Sequence, residues 1–457
     1  MTRLVAFRCD GDDRIGAGHV SRCLQLARAF EAAGTGTVFV GRFAGTAARL
    51  LDSAGVTPVS PWPGPGGITP EADAAVLDSY EIPFPDIEAL SAEVPTAALV
   101  DGAGAPRATA VLSYHPGTSR RLRAPEETRT VQGPDYAPVD PAFVTVRRSR
   151  GFTRALVTFG GRPADAPLLA AVTAALERAG PFEVDAGPGS AGFRERVRQA
   201  DFAVSGAGVT PYELACAGVP AILVALAENQ QVVAADFAAA GLAVSAGDGQ
   251  LLDEGLALLS HEAERARIAA QGPTTVDGYG SYRARDALES AFAGRPPPRV
   301  LGYRPARNED SDLLLAWRNE PDVRAASRVT DPVTPEEHAS WLSASLANPN
   351  RLLFVVEQDG DPAGTVRIDR EGRQAEISVT VTDNRRSAGL GSQAVREVGE
   401  LVLAALPETE EILAEIRLAN TGSRRAFERA GYGSPIPAEE GWTVLRLDSR
   451  RLIETRP

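Results

Sequence analysis

The chain has 457 residues, 44% of them hydrophobic and 23% charged, with a formal net charge of −13. That length calls for two or three domains, ordinary fractions exclude bulk disorder, and the negative charge excludes non-specific nucleic-acid binding, which needs basic surface. All 47 strong cations are arginine, which excludes a Walker lysine or a Schiff-base lysine and leaves phosphates to backbone N–H groups, helix ends and arginine.

The opening MTRLVAFRCDGDD lacks a basic region followed by an apolar stretch, and no apolar run is long enough to span a bilayer. Cys9, Cys23 and Cys216 are scattered and odd in number, so no disulfide framework is expected. A cytoplasmic protein without a membrane partner fits best. LVAFRCD reads as a strand, Gly16-Ala17-Gly18 as a turn, His19 to Glu31 as a helix and TVFVGRF as a second strand, which is the alternation of a parallel sheet. The glycines let the backbone approach a ligand while the following helix aims its N–H groups at it, and diphosphate is the obvious guest. Asp10, Gly16, Gly18, Arg22 and, further on, Tyr80 are the substrate-binding candidates here. His19 sits in the first helical turn, where the positive potential favours a neutral imidazole that can take a proton from water. A lone histidine there can equally be a packing residue; the glycines around it favour the catalytic reading. Only His115, His261 and His338 accompany it, and without clustered His and Cys no metal site is expected.

A Pro-rich hinge near Gly133 to Arg147 precedes a second αβ region. ALVTFGGRPADAP places Gly160 and Gly161 between strand and helix, and DFAVSGAGVTPYELACAGVPAILVAL repeats strand, turn, helix and buried strand. Ser205, Gly206, Gly208 and Thr210 form the second candidate phosphate turn. Glu213, one turn into the helix, can accept both hydroxyls of a ribose, and Glu228, Asn229 and Gln230 stand at the carboxyl end of AILVAL. Each glycine turn alone is explained equally well by backbone geometry. The expected architecture is a pair of Rossmann-type halves, 1–147 and 148–293, with the ligand at the carboxyl ends of the strands.

Together, Arg8, Asp10, the Ile15–Arg22 run, Asp78-Ser79-Tyr80, Gly133 to Tyr136, Phe159-Gly160-Gly161, the Ser205–Glu213 run, Glu228 to Gln230 and Asp277 to Gly280 resemble the hydrolase family of pseudaminic acid biosynthesis. Those enzymes have the GT-B fold, are similar to MurG-type transferases and release UDP from a UDP-linked diacetamido sugar. The resemblance implies that His19 activates water and that Glu213 holds a uridine ribose. The sequence departs from the family at Asp101-Gly102, where paired aspartates are usual, and near Leu112 to Pro116, where an Asn-containing segment is replaced. Both departures lie in the half that holds the sugar.

The stretch Ala291 to Arg299, AFAGRPPPR, reads as a linker to a third domain, 299–457. There AEISVTVTDNRRSAGLGSQAVREVGELVLAAL gives a strand, a turn with R-x-x-G-x-G and an amphipathic helix, which sets a row of N–H groups on a pyrophosphate. EILAEIRL and Asn420…Ser423…Phe427…Gly431-Tyr432 follow. This region resembles the GNAT acetyltransferases, an α+β fold, and Trp317-Arg318-Asn319 with His338 and Trp341 resembles the subgroup acting on protein N-termini and amino sugars. The resemblance implies acetyl-CoA, held by Arg386, Ser387, Gly389, Leu390, Gly391, Ser392, Asn420 and Ser423. Glu376 is the candidate base, directly or through a water. His338 is the second candidate, and a packed histidine beside Trp341 is as good a reading of it. The family's tyrosine is replaced by Phe427, so the acid is Tyr432, water or absent.

The two resemblances point to neighbouring steps on one nucleotide-linked amino sugar, with UDP as the nucleotide: acetylation of its amine and hydrolytic release of the nucleoside diphosphate. A glycosyltransferase fused to an acetyltransferase, a pair drifted to another nucleotide-linked amine in natural-product assembly, and a non-catalytic substrate-presenting half are the alternatives.

Overall fold

The computed structural model describes residues 3–59, 71–117, 122–144, 151–159, 166–187, 192–247, 252–382, 389–406 and 408–448. The chain divides into two compact units after Pro298, inside the expected linker, although the helix Gly280–Phe292 runs two residues into that stretch. The two expected N-terminal halves appear as two sheets within one unit.

The first sheet joins β1 (Leu4–Cys9), β2 (Gly36–Val40), β3 (Ala74–Asp78), β4 (Thr96–Leu99), β5 (Ala110–Ser113) and β6 (Arg129–Gln132) in the order β2-β1-β3-β4-β5-β6, every pair parallel. Its strands are near-continuous apolar runs because helices cover parallel sheets: Val5, Ala6 and Phe7 are fully buried, and Phe7 stacks on Phe39 at 5.4 Å. The second sheet joins β7 (Arg154–Thr158), β8 (Glu183–Ala186), β9 (Phe202–Gly206), β10 (Ala221–Val224) and β11 (Val244–Ser245) in the order β11-β10-β9-β7-β8, again all parallel.

The helix Gly280–Phe292 follows the second sheet in sequence yet packs on the first, against the helix Gly18–Ala32, β5, β6 and Pro134–Tyr136. Arg285 donates to Ala29 O at 3.0 Å and Arg283 to Asp135 O at 2.8 Å, while Arg283 also pairs with the buried Asp277. A Cβ on Gly280 would lie 2.1 Å from Ala137 O, so only glycine fits there. The Gly133–Tyr136 and Asp277–Gly280 motifs therefore meet as a structural joint between the two sheets.

The second unit is one mixed sheet of β12 (Leu301–Pro305), β13 (Arg351–Gln358), β14 (Asp361–Glu371), β15 (Gln374–Val381), β16 (Glu411–Arg417), β17 (Ile436–Pro437) and β18 (Trp442–Asp448), in the order β12-β13-β14-β15-β16-β18-β17. All pairs are antiparallel except β15 with β16. The helix Pro335–Ala347 starts on a capping box: Thr334 Oγ1 accepts from Glu337 N at 3.2 Å and Glu337 Oε2 from Thr334 N at 2.9 Å.

Candidate functional site

In the first unit the glycine turns of the two sheets face each other. Gly16 adopts φ +86°, the left-handed region, and opens the helix Gly18–Ala32. A Cβ on Gly18 would stand 3.6 Å from the Val209 side chain, in the turn after β9. The turns at the carboxyl ends of the two parallel sheets thus lie side by side, at the strand ends where such sheets hold ligands.

His19 projects from that helix start and is buried, with Nδ1 2.6 Å from Asp78 Oδ1 at the end of β3. Arg22, one turn on, donates from Nε to Asp78 Oδ2 and from Nη2 to Asp78 Oδ1, both at 2.5 Å. It also reaches Asp101 Oδ1 at 3.0 Å and the Tyr114 hydroxyl at 2.8 Å. Burial alone would raise the pKa of Asp78, but Arg22 and His19 outweigh it and hold the carboxyl below its usual range. Burial opposes ionisation of Asp101 too, and Arg22 with His115 pulls it well below. An ionised Asp78 takes the Nδ1–H of His19 and leaves Nε2 as the acceptor. Among the described residues nothing bonds that nitrogen. A carboxylate fixing the tautomer of a histidine whose other nitrogen is open is the arrangement of a general base. The Tyr80 ring stands edge-on to His19, centroids 4.6 Å apart, and its hydroxyl bonds Asp101.

Some sequence candidates take a different place. Asp10 is buried, with one oxygen accepting from Arg42 N and the other from Ser79 Oγ and paired with Arg8; it ties the ends of β1, β2 and β3 together instead of facing a ligand. Arg22 spends its donors inside the carboxylate cluster, so it orients His19 through Asp78 and is not free to take phosphate. Ser205 turns its hydroxyl to Gly206 O at 3.0 Å, which leaves the turn's backbone as its offering. At Gly208 a Cβ would meet open space. Thr210 starts the helix Thr210–Cys216, and Glu213 lies in its first turn. Burial and Asp140 push Glu213 up to about 7 against a bond from Thr210. Glu228 is exposed at the start of the helix Glu228–Ala239, and Gln230 Oε1 accepts from Leu226 N at 3.0 Å. Gly160, Gly161 and the Asn229 side chain lie outside what the structure describes. Sequence reasoning missed Asp78 as the partner of His19, and also Asp101, His115 and Tyr212. The signals for Asp78 were an acid closing the apolar strand AAVLD and its place in the Asp78-Ser79-Tyr80 motif.

In the second unit β15 and β16 pair only at Gln374–Glu411, Ala375–Ile412 and Glu376–Leu413, yet the strands continue to Val381 and Arg417. They part beyond Glu376, which sits at the vertex of the wedge. Among the described residues the facing edges of Ile377–Thr380 and Ala414–Arg417 have no ladder with each other, an arrangement that can take the main-chain bonds of an extended, amide-bearing arm. Burial raises the pKa of Glu376; Arg367 opposes the rise, and Glu415 and Asp369 add to it. A carboxylate tuned upward suits removal of a proton from an ammonium.

His338 lies among the helices over the same sheet face. It is buried against Trp341, centroids 5.3 Å apart, with Ser311 Oγ 3.3 Å from Nδ1, and burial with Arg318 lowers its pKa. Tyr432 is separated from Glu376. Its buried hydroxyl sits over Gly399 beside Leu447, and Leu447 pairs with Ile412 on the face opposite Leu413 and Glu376. No described group bonds that hydroxyl, and burial raises its pKa. The acid role expected of Tyr432 is therefore withdrawn. Asn420 Oδ1 accepts from Ser423 N at 3.0 Å, so both positions cap their own helix, Thr421–Arg429. Gly389, at φ +81°, opens the helix Leu390–Ala405, which carries Gly391 and Ser392; Arg386 and Ser387 lie outside the described residues.

Among the described residues no three His, Cys, Asp or Glu side chains are placed to hold a metal ion, and no helix is long and apolar enough to cross a membrane.

Residues 301–433 match the family described as acetyltransferase (GNAT) domain. Over 209 residues the chain is 27% identical to the spore coat polysaccharide biosynthesis protein SpsG of Bacillus subtilis (strain 168), covering 38% of this chain and 61% of the relative's length. Over 140 residues it is 26% identical to the putative phosphinothricin acetyltransferase YwnH of the same strain, covering 29% of this chain and 83% of that one. A solved structure of the aminoglycoside acetyltransferase AAC(6')-Ib, in complex with coenzyme A and kanamycin, is 18% identical with a TM-score of 0.31, covering 35% of this chain and 100% of that one. The second unit thus contains a GNAT acetyltransferase domain, with acetyl-CoA as its cofactor.

Proposed function

We propose that the protein is a bifunctional enzyme that N-acetylates an amine on a nucleotide-linked amino sugar and hydrolyses the bond to the nucleoside diphosphate, which the sequence resemblance makes UDP. The observation that carries the hydrolytic half is the Asp78–His19 pair, whose Nε2 no described residue bonds, beside two facing glycine turns. In this reading the first unit is a GT-B-like pair of Rossmann-type sheets. The turns offer N–H groups to the diphosphate, Glu213 takes the ribose, and His19 Nε2 removes a proton from the water that attacks the anomeric carbon. The similarity to a polysaccharide biosynthesis protein supports a sugar substrate.

In the second unit Glu376 takes the proton from the incoming ammonium, directly or through a water. Acetyl-CoA supplies the acetyl group when bound. The main-chain edge of β15 holds its extended arm, and the Gly389–Ser392 helix start faces its pyrophosphate.

One observation favours a second reading, in which the pair has drifted to another nucleotide-linked amine. His115, in the segment that departs from the resembled hydrolases, is bonded at 2.8 Å to Asp101, the aspartate that keeps its place beside the departing Gly102, inside the His19 cluster. The experiment is incubation with acetyl-CoA and a UDP-4-amino-4,6-dideoxy-N-acetyl-altrosamine, following CoA and UDP by mass-resolved chromatography. Both products, with UDP release lost in His19→Ala, support the first reading. CoA alone favours the drifted pair or a substrate-presenting first unit, and neither product removes this substrate class.

A further inference from the structure

The His19 cluster does not end within the first sheet. Tyr212 lies on the helix Thr210–Cys216, directly behind the second glycine turn, and is fully buried with its ring edge-on to Tyr114 at 5.1 Å and to Phe237 at 4.8 Å. Its hydroxyl stands 2.5 Å from His115 Nδ1 across the junction of the two sheets. His115 Nε2 is 2.8 Å from Asp101 Oδ1, Asp101 accepts from Arg22, and Arg22 holds both oxygens of Asp78, which holds His19. Burial and the nearby Tyr114 and Asp101 keep the Tyr212 phenol protonated, so its O–H donates to His115 Nδ1 and His115 donates from Nε2 to Asp101. Both nitrogens of His115 are then engaged. It cannot serve as a second base, and its chemistry is to transmit position.

We propose that Tyr212, His115 and Asp101 are positioning residues that couple a nucleoside diphosphate seated on the Ser205–Thr210 turn to the orientation of His19. This rests on the nucleotide reading of the first unit. A shift of the short helix behind the occupied turn moves the Tyr212 hydroxyl, and every later link is a buried hydrogen bond or ion pair with little slack. Loss of one link should disturb the base without removing a nucleotide contact.

The test uses the full chain with Tyr212→Phe, which keeps the buried ring, His115→Gln, and the double variant. Each single variant should lower kcat for UDP release from the UDP-amino sugar by ~10-fold, with KM and the UDP Kd within about twofold; the double should be no worse than either single, because the links act in series. A Tyr212→Phe enzyme with unchanged kcat, or losses that multiply to ~100-fold in the double, overturns the coupling. If the wild type binds UDP but cleaves nothing, the hydrolase reading falls and the coupling is judged by hydrogen exchange. UDP must then slow exchange across Gly18–Leu24 in the wild type and not in Tyr212→Phe, and equal protection in both overturns the proposal. If UDP does not bind the wild type, the nucleotide reading and the coupling fall together.

Discussion

His19 and Glu376 are oriented by different means. Side chains hold His19: Asp78 fixes its ring, Arg22 fixes Asp78, and the cluster is buried and charge-paired. Backbone holds Glu376, whose place is set by the register at which β15 and β16 stop pairing; Arg367, Asp369 and Glu415 tune its charge without a close bond, the Arg367 contact being 4.0 Å. A base held by side chains can be disabled through its neighbours. One held by a strand register is sensitive at its own position, while its neighbours change only its pH range.

Four predictions press on that contrast. The largest effects belong to the two proposed bases. His19→Ala should lower UDP release by ~10³-fold and leave acetyl transfer within about twofold, and Glu376→Gln should do the reverse, with ~10²-fold or more lost from acetyl transfer. Measuring CoA and UDP from the same reaction checks both. Loss of both activities in either variant would end the claim of independent sites. Next comes Asp78→Asn, which keeps the shape but lets the amide present N–H to the ring and leaves Arg22 with Asp101 as its carboxylate partner. A loss of ~10²-fold or more in UDP release is expected, with a lowered Tm, because one partner of a buried ion pair is gone. The corresponding change beside Glu376, Arg367→Gln, should leave maximal acetyl transfer within about twofold. Arg367 opposes the raised pKa, so its removal should move the acid limb of the pH–rate profile upward. In the proposed mechanism activity requires ionised Glu376 and falls as pH falls through that limb. A large loss of maximal rate in Arg367→Gln would contradict the contrast.

The same difference governs what was legible in the sequence. The strand–turn–helix runs around Gly16, Gly206 and Gly389 were readable because they are local and their periodicity changes at the glycines. The β15/β16 wedge lay within reach too, since the strand before the R-x-x-G-x-G turn already carried Glu376. The members His19, Arg22, Asp78 and Tyr80 stood in sequence motifs, but their pairing into one cluster was not readable. Asp78 lies 59 residues from His19, and Tyr212 lies 97 from His115, so only the stacking of β3, β4 and β5 side by side brings the polar strand ends together. The return of the helix Gly280–Phe292 to the first sheet escaped for a similar reason. Its buried arginines look like surface residues until Ala29 O, Asp135 O and Asp277 are in place. Asn420 shows the converse. A motif at the expected spacing was visible, but the same spacing serves a helix cap, and the structure uses it so.

The smallest predicted effect separates the two sheets of the first unit. Glu213 has its carboxyl pushed up to about 7 by burial and by Asp140, whereas an unfolded glutamate ionises near 4.3. Between those values the folded state holds the extra proton, so the stability contributed by this group is present at low pH and declines as pH rises through 7. Nucleotide binding runs the other way. A ribose donates two hydroxyls, which a carboxylate accepts and a protonated carboxyl accepts less well. UDP should therefore bind more tightly at pH 8 than at pH 6, by up to ~10-fold, and should stabilise the protein most at the pH where the free chain has lost stability. In Glu213→Gln the UDP affinity should be weaker and flat over that range. Titration calorimetry at the two pH values separates the outcomes. An affinity that still tightens with pH in Glu213→Gln would assign the ionisation to another group near the turn, and with it the ribose.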